Sequence, residues 1–530
     1  MKKLTALALA AIMLLALCAG CAGGNDTATT SGTTAATQGG ATQAGTTAAQ
    51  TGAVTPARDD LTIIFNGKIS NYDPYATTLS ESYWLNSMLF DTLACYTDFQ
   101  STLELRLAKD YSVSDDGLQW TFNLKEGVTF HDGTPLTADD VKVSIEAAMA
   151  SPFKGGGLTS IDRVEVTGPL QFVLHTHEYN AETLGLFDTL YIVPGGMYTE
   201  LGAEGFAEKL IGTGPFVLES IDEATSNIVL RANESYWDGA PALKTINVRV
   251  ITENSTRIVA LEKGEVDFNR IYNTDFNTLS KNSGLTITEL PSFNYGFLIF
   301  NMNQAPCDNK GFRQAIAHAL DYETINAVAQ GGVGSTAGSV FYKEAYGYDV
   351  PEVKSYSYDP EKAKTMLAEA GIATPLELGV VSVIPAQKDV LELIQQNLAA
   401  VGVNIQIEQV EAATYVGNLY GGNFTISYMP AAGGGSTIAS AYKSFFLTGG
   451  DTNFSGYSNA EVDAAIQGML TRKDDSVMND LVYQALSNIQ EDIPYLNLFH
   501  ANQMCAAQNG LNVAIGSPQV TYFFRNFSWN

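Results

Sequence analysis

The first 57 residues of this 530-residue chain are unsuited to any folded core. Met1-Lys2-Lys3 is a basic start, Leu4 to Leu17 is an apolar run broken only by Thr5, and the small residues Ala19-Gly20 follow. That layout is an export signal. The apolar run, roughly 14 residues, is too short to span the ~30 Å hydrocarbon core as a helix. Ala22 to Ala57 is almost wholly Gly, Ala, Thr, Ser and Gln, with Asp26 its one charge. Such a stretch buries too little apolar surface to offset its ordering entropy, so a disordered tether is expected over 22–59. About 470 residues remain to fold, more than one core usually holds, and two or three domains are expected.

Leu17-Cys18-Ala19-Gly20-Cys21 resembles a bacterial lipobox, with Cys18 where that motif usually carries Leu. The resemblance implies a signal peptide over 1–21 and a lipidated Cys21 as the mature N-terminus. The folded body would then sit on the outer face of the bacterial cytoplasmic membrane, in the periplasm or at the cell surface. The tether would reach on the order of 30–35 Å. There are 57 Asp+Glu against 29 Lys+Arg, a net charge of −28. Loss of Lys2 and Lys3 takes it to about −30, which argues against nucleic acid, whose phosphates are held by Lys and Arg. Cys95, Cys307 and Cys505 remain after processing. Three widely spaced cysteines do not make a disulfide scaffold, and buried thiols are expected.

Along the body, Leu61 to Phe65 reads as a buried strand. Thr78-Leu79-Ser80-Glu81 reads as a capping box opening a helix. Gln119 to Leu124 alternates as a strand, and Thr137-Ala138-Asp139-Asp140 starts a helix with Val141, Ile145 and Met149 on one face. Lys244 to Val250 alternates again. Asp359-Pro360 caps a helix that Gly371 stops. Leu376 to Val383, the helix Asp389 to Ala400, and Val403 to Ile407 form a strand–helix–strand unit, which predicts a crossover in a mainly parallel sheet.

Several ordered motifs resemble one family. The longest runs from Val113-Ser114-Asp115-Asp116-Gly117 through Trp120-Thr121-Phe122 to Phe130-His131-Asp132-Gly133-Thr134-Pro135-Leu136-Thr137. Gly212-Thr213-Gly214-Pro215-Phe216, Asn233-Glu234-Ser235-Tyr236-Trp237, Leu261-Glu262-Lys263-Gly264-Glu265-Val266-Asp267 and Phe312-Arg313-Gln314-Ala315-Ile316 follow. Together they resemble the extracytoplasmic solute-binding proteins of ABC importers, of the oligopeptide/dipeptide/nickel type (family 5). The resemblance covers about residues 60–530.

It implies an α/β periplasmic-binding-protein-like fold, bilobal and three-segmented, a Venus flytrap with a hinge between lobes. Domain I would comprise 60–91, 196–296 and 501–530, with domain II inserted at 92–195 and domain III at 297–500. The implied partners are a small-molecule or oligomeric solute and the permease subunits of an ABC transporter. A monomer with no cofactor, touching the membrane through its lipid alone, is expected. One cleft wall would be the loop carrying Thr77, Thr78 and Leu79. The other would follow Tyr428, with Ala431, Gly434 and Ser436, and Asn294 and Tyr295 join the candidate ligand contacts. Peptide binders of the family carry a Trp and then an Asp after the strand ending at Tyr428, the Asp pairing with the peptide amino group. Met429 to Ser436 contains neither. An ammonium buried there would lack a carboxylate, which is costly.

Other classes find less support. There is no G-x-S-x-G and no P-loop, and Gly332-Val333-Gly334-Ser335-Thr336-Ala337 follows a helical pattern rather than the strand a dinucleotide loop needs. His175 and His177 share a strand face without a third metal ligand. No catalytic or metal residue is assigned. A receptor-linked sensor with the same cleft stays open, as does, more distantly, a hydrolase.

Overall fold

The computed structural model describes residues 58–530 except 77–78, 99–101, 337–347, 434–436 and 517–521. Cys21, Thr77, Thr78, Gly434 and Ser436 lie outside the described residues, as do the side chains of Phe293 and 430–433. Within the described residues, no helix is long and apolar enough to cross a membrane.

One mixed sheet ties the molecule together. Asp60–Phe65 lies at its middle, parallel to Thr245–Val250 on one side and to Phe268–Ile271 on the other. Ile228–Ala232 and Phe216–Ile221 extend it antiparallel past Thr245–Val250. Past Phe268–Ile271 come Tyr495–Gln508, Leu285–Phe300 and Ile426–Gly433, all antiparallel. The expectation of a mainly parallel sheet is therefore corrected. Leu376–Val383 and Val403–Gln409 do pair in parallel around the helix Lys388–Ala400, but as a separate two-stranded sheet. The main sheet is largely antiparallel because two long strands, 16 and 14 residues, carry the chain out to a second lobe and back.

Those two strands pair twice. Leu285 to Leu290 meets Gln503 to Gln508, and Asn294 to Ile299 meets Tyr495 to Ala501. Between these stretches the register shifts, so the ladder lapses where the chain passes from one lobe to the other. Gly296 sits just beyond the lapse, where a Cβ would fall 2.3 Å from the Phe499 ring.

Alternation along the long strand builds the second lobe. Tyr295, Phe297 and Ile299 face one apolar cluster, Leu298 and Phe300 another, so the strand is covered on both sides. In the first lobe one apolar cluster runs from Leu61 and Trp84 through Phe122, Ile145 and Phe172 to Phe524. The insert therefore shares a continuous core with the lobe that carries it. It adds a sheet ordered Ala108–Val113, Gln119–Leu124, Gln171–Thr176, Ile161–Gly168, with the helix Ala138–Ala150.

Local chemistry explains the ends of these elements. Asp359 accepts the Lys362 N–H with Pro360 in the first turn, and Ala363 and Leu367 turn inward. The Thr137 amide and hydroxyl both donate to Asp140, at 2.8 and 2.7 Å. One cap differs from expectation: the helix Ser80–Leu89 begins after Leu79 rather than Thr78, and no side chain caps it. Cys95, Cys307 and Cys505 are buried thiols, and burial pushes the first two up to about 12.

Candidate functional site

The longest sequence motifs are scaffold. Gly212 and Gly214 press on the end of the helix Ser80–Leu89, where a Cβ would meet Leu89 backbone atoms at 2.0 and 2.4 Å. His131 bridges the two glycines: the Gly212 N–H donates to Nδ1 at 3.2 Å, which leaves Nε2–H to donate to the Gly214 carbonyl at 3.0 Å. Burial holds the pKa of this imidazole below 6.5. Asp91 accepts from Thr213 Oγ1, Tyr236 Oη and Trp237 Nε1 at 3.1, 2.7 and 2.8 Å. The Gly-Thr-Gly-Pro-Phe and Ser-Tyr-Trp motifs thus close around one buried carboxylate.

A cavity of about 520 Å³ lies where the insert meets the helix Gly195–Ala207, lined by Phe130, Asp132, Thr137, Asp140 and Met197 among others. Asp132 and Asp140, two of its three acids, are already engaged. Asp132 accepts from Thr134, and Asp140 from Thr137 and the Gly195 N–H. It offers no convergent free polar groups, and it lies on one lobe rather than between two.

The carboxyl edge of the parallel strands is the better site, because in open α/β sheets ligands bind outside those ends. Asp60–Phe65 leaves the sheet there into the loop before Ser80. The first half of that loop is pinned to the residues beside it. Asp73 accepts the Tyr75 N–H at 3.2 Å, Tyr75 Oη donates to the Tyr191 carbonyl at 2.7 Å, and Ser151 Oγ donates to the Tyr75 carbonyl at 2.6 Å. Burial raises the Asp73 pKa. Anchored this way, the loop presents the turn around Leu79, half-buried at the helix start, toward the edge.

The other candidates separate. Asn294 is half-buried at the register shift, paired with Gly433 and Ala501. It stands on the hinge between the lobes. Tyr295 is fully buried, stacked on Phe297 at 5.6 Å and edge-on to His500 at 5.3 Å. Tyr428 is 2% exposed in the cluster on the opposite face of the sheet. These rings pack the lobe. Ala431 lies in the strand Ile426–Gly433, near the Asn294–Gly433 pairing, and so belongs to the lobe edge that meets the hinge. Thr437 just beyond caps the helix Ile438–Phe446.

Sequence reading missed Arg270 and Gln503. Arg270 stands at the carboxyl end of Phe268–Ile271, its Nη1 3.3 Å from Ser80 Oγ and its Cζ 5.7 Å from the Trp84 ring centroid. Gln503 lies two residues from Cys505, the residue paired with Arg270, and its Oε1 is buried without a partner. The visible signal was a lone arginine three residues after the acidic Gly-Glu-Val-Asp segment.

Residues 102–453 match the family model described as bacterial extracellular solute-binding proteins, family 5 middle. The oligopeptide-binding protein AppA of Bacillus subtilis is 27% identical over 483 residues, 85% of this chain and 88% of that protein. The dipeptide-binding protein of Escherichia coli is 25% identical over 501 residues, 87% of this chain and 93% of that protein. Among solved structures, HbpA2 from Haemophilus parasuis superposes with a TM-score of 0.81 at 22% identity, covering 89% of this chain and 100% of that one.

Proposed function

The chain belongs to the bacterial extracellular solute-binding proteins of family 5, and on that premise we propose that it captures an oligomeric solute between its two lobes and hands it to an ABC permease. As a solute-binding protein of an ABC transporter it is a binder and not an enzyme. The observation that carries the capture step is the paired long strands with a lapsed ladder between them. Two strands crossing between lobes allow rotation at low cost, and a solute that prefers the closed arrangement shifts that balance. We place domain I at 60–91, 196–296 and 501–530, with inserts at 92–195 and 297–500.

The solute is read from what the cleft lacks. Relatives of this chain include an oligopeptide binder and a dipeptide binder. Kinship therefore does not set solute length. Met429 to Ser436 supplies no carboxylate for a peptide amino group. An oligosaccharide, a blocked peptide or a similar solute of low net charge fits better than a free peptide held at its amino end. Calorimetric titration with free and N-acetylated di- to pentapeptides and with oligosaccharides tests this. Submicromolar binding of free peptides that disappears on N-acetylation would overturn it. Anchoring through a lipid on Cys21, on the outer face of the cytoplasmic membrane, completes the proposal.

A further inference from the structure

Six of the ten arginines stand at ion-pair distance from a carboxylate among the described residues. Arg58, Arg106 and Arg472 face carboxylates at 2.6–2.8 Å. The buried Arg257 and Arg313 spend donors on backbone carbonyls. Arg525, over the Phe523 ring, and Arg270 do neither, and Arg270 is the one of the two in the strand Phe268–Ile271 beside the central strand. Among the described residues its one hydrogen bond is the long contact to Ser80 Oγ, and no carboxylate reaches it at ion-pair distance. It is nevertheless half-buried.

Its surroundings are those of a ligand edge. Ile63 pairs with Phe268, so Arg270, two residues on, is level with Phe65, the last residue of the central strand. Phe268 and Arg270 share a face by strand alternation. The Phe268 ring packs against Tyr522 at 4.8 Å, while Arg270 extends past the floor of aromatic rings toward the start of the helix Ser80–Leu89. Its guanidinium lies 5.7 Å from the ring centroid of Trp84, which is 2% exposed and whose Nε1–H has no acceptor among the described residues. Buried donors left unmade cost free energy, and a half-buried guanidinium without a counter-charge costs more. A bound anion removes these costs together, and an arginine fork matches a carboxylate bidentately.

We propose that Arg270, with Ser80 and Trp84 beside it, forms a pocket for a carboxylate of the bound solute. This rests on the solute-binding reading above and adds polarity to it: the acid group points at the first lobe, and no ammonium anchor is required at the second. The solute class is then a carboxylate-bearing oligomer with a free or blocked far end. A peptide C-terminus and a sugar acid supply the same chemistry.

Titration calorimetry on the purified full chain separates these sources. The probes are N-acetylated tripeptides with free C-termini, the same peptides C-amidated, neutral oligosaccharides, and oligogalacturonates. One carboxylate series should bind about 10- to 100-fold tighter than its uncharged counterpart. Arg270→Gln should abolish that gap, and Arg270→Lys should retain part of it. An unchanged thermal unfolding midpoint for Arg270→Gln shows that the variant is folded. Equal binding of acid and uncharged forms, or a gap that survives Arg270→Gln, overturns the pocket. If uncharged probes bind as tightly as the acids and compact the chain in small-angle scattering, the pocket fails and capture between lobes stands. If no probe binds or compacts the chain, both fail.

Discussion

The two lobes touch at a second place, away from the connecting strands. Ala181 N–H donates to the Leu470 carbonyl at 2.8 Å, and Tyr179 Oη donates to the Arg472 carbonyl at 3.0 Å. Arg472 Nη1 lies 2.6 Å from Glu182 Oε1, with side chains 12% and 10% exposed. Under the proposed rotation about the connecting strands these bonds break, and the contact then acts as a latch on this arrangement. Glu182→Gln removes the charge and keeps the size. Arg472 then retains Asp475, which is 88% exposed. Exposed ion pairs contribute 0–1 kcal/mol and breaking a fully buried one costs 3–5, so the largely covered Glu182 pair is worth about 2 kcal/mol. That is about 30-fold in the conformational equilibrium. An arrangement favoured by about 2 kcal/mol falls from about 97% of molecules to about half. Small-angle scattering of the ligand-free chain reads this as a radius of gyration that moves away from the value for this structure. Tyr179→Phe should move it less, since one neutral hydrogen bond contributes about 1 kcal/mol. Identical scattering and identical unfolding midpoints for wild type and Glu182→Gln would refute the latch.

Three further outcomes are expected. Asp91→Ala leaves three buried donors without their acceptor and should destabilise the first lobe by about 3–5 kcal/mol in urea unfolding. His131 is held below its ordinary 6.5, so the unfolded chain takes up its proton first as pH falls. Stability should therefore hold above pH 6.5 and decline below it, and the urea midpoint should drop more between pH 7.5 and 5.5 in wild type than in His131→Asn. Cys21→Ala should release the protein from membranes or block its processing in cell fractionation, and a mature-sized variant that stays membrane-bound would refute the lipid anchor.

What could be read from residues alone follows from the range of the forces involved. Asp359-Pro360 and Gly371 act within one turn, and the helix between them forms as local chemistry dictates. The 2-residue alternation of Trp120, Phe122 and Leu124 likewise survives intact in their burial. The helix start at Ser80 was misplaced by one residue because Thr78 offered a plausible cap, whereas the loop is positioned from outside by Tyr191 and Ser151. The sheet was misjudged for a related reason. A strand–helix–strand unit announces a parallel pair, but nothing local in Leu285–Phe300 says that it will run through two lobes beside Tyr495–Gln508. Tyr295 stood as a candidate ligand contact for the same reason: an aromatic residue reads alike on a cleft wall and in a strand buried on both faces. Arg270 marks the opposite limit. Its meaning lies in the carboxylates that are not near it, and only the fold can show that among the described residues no carboxylate reaches it at ion-pair distance. The scaffold of this protein is therefore legible where residues adjacent in sequence act on each other. The cleft is legible only after strands separated by more than 200 residues have been brought side by side, as Arg270 and Cys505 are.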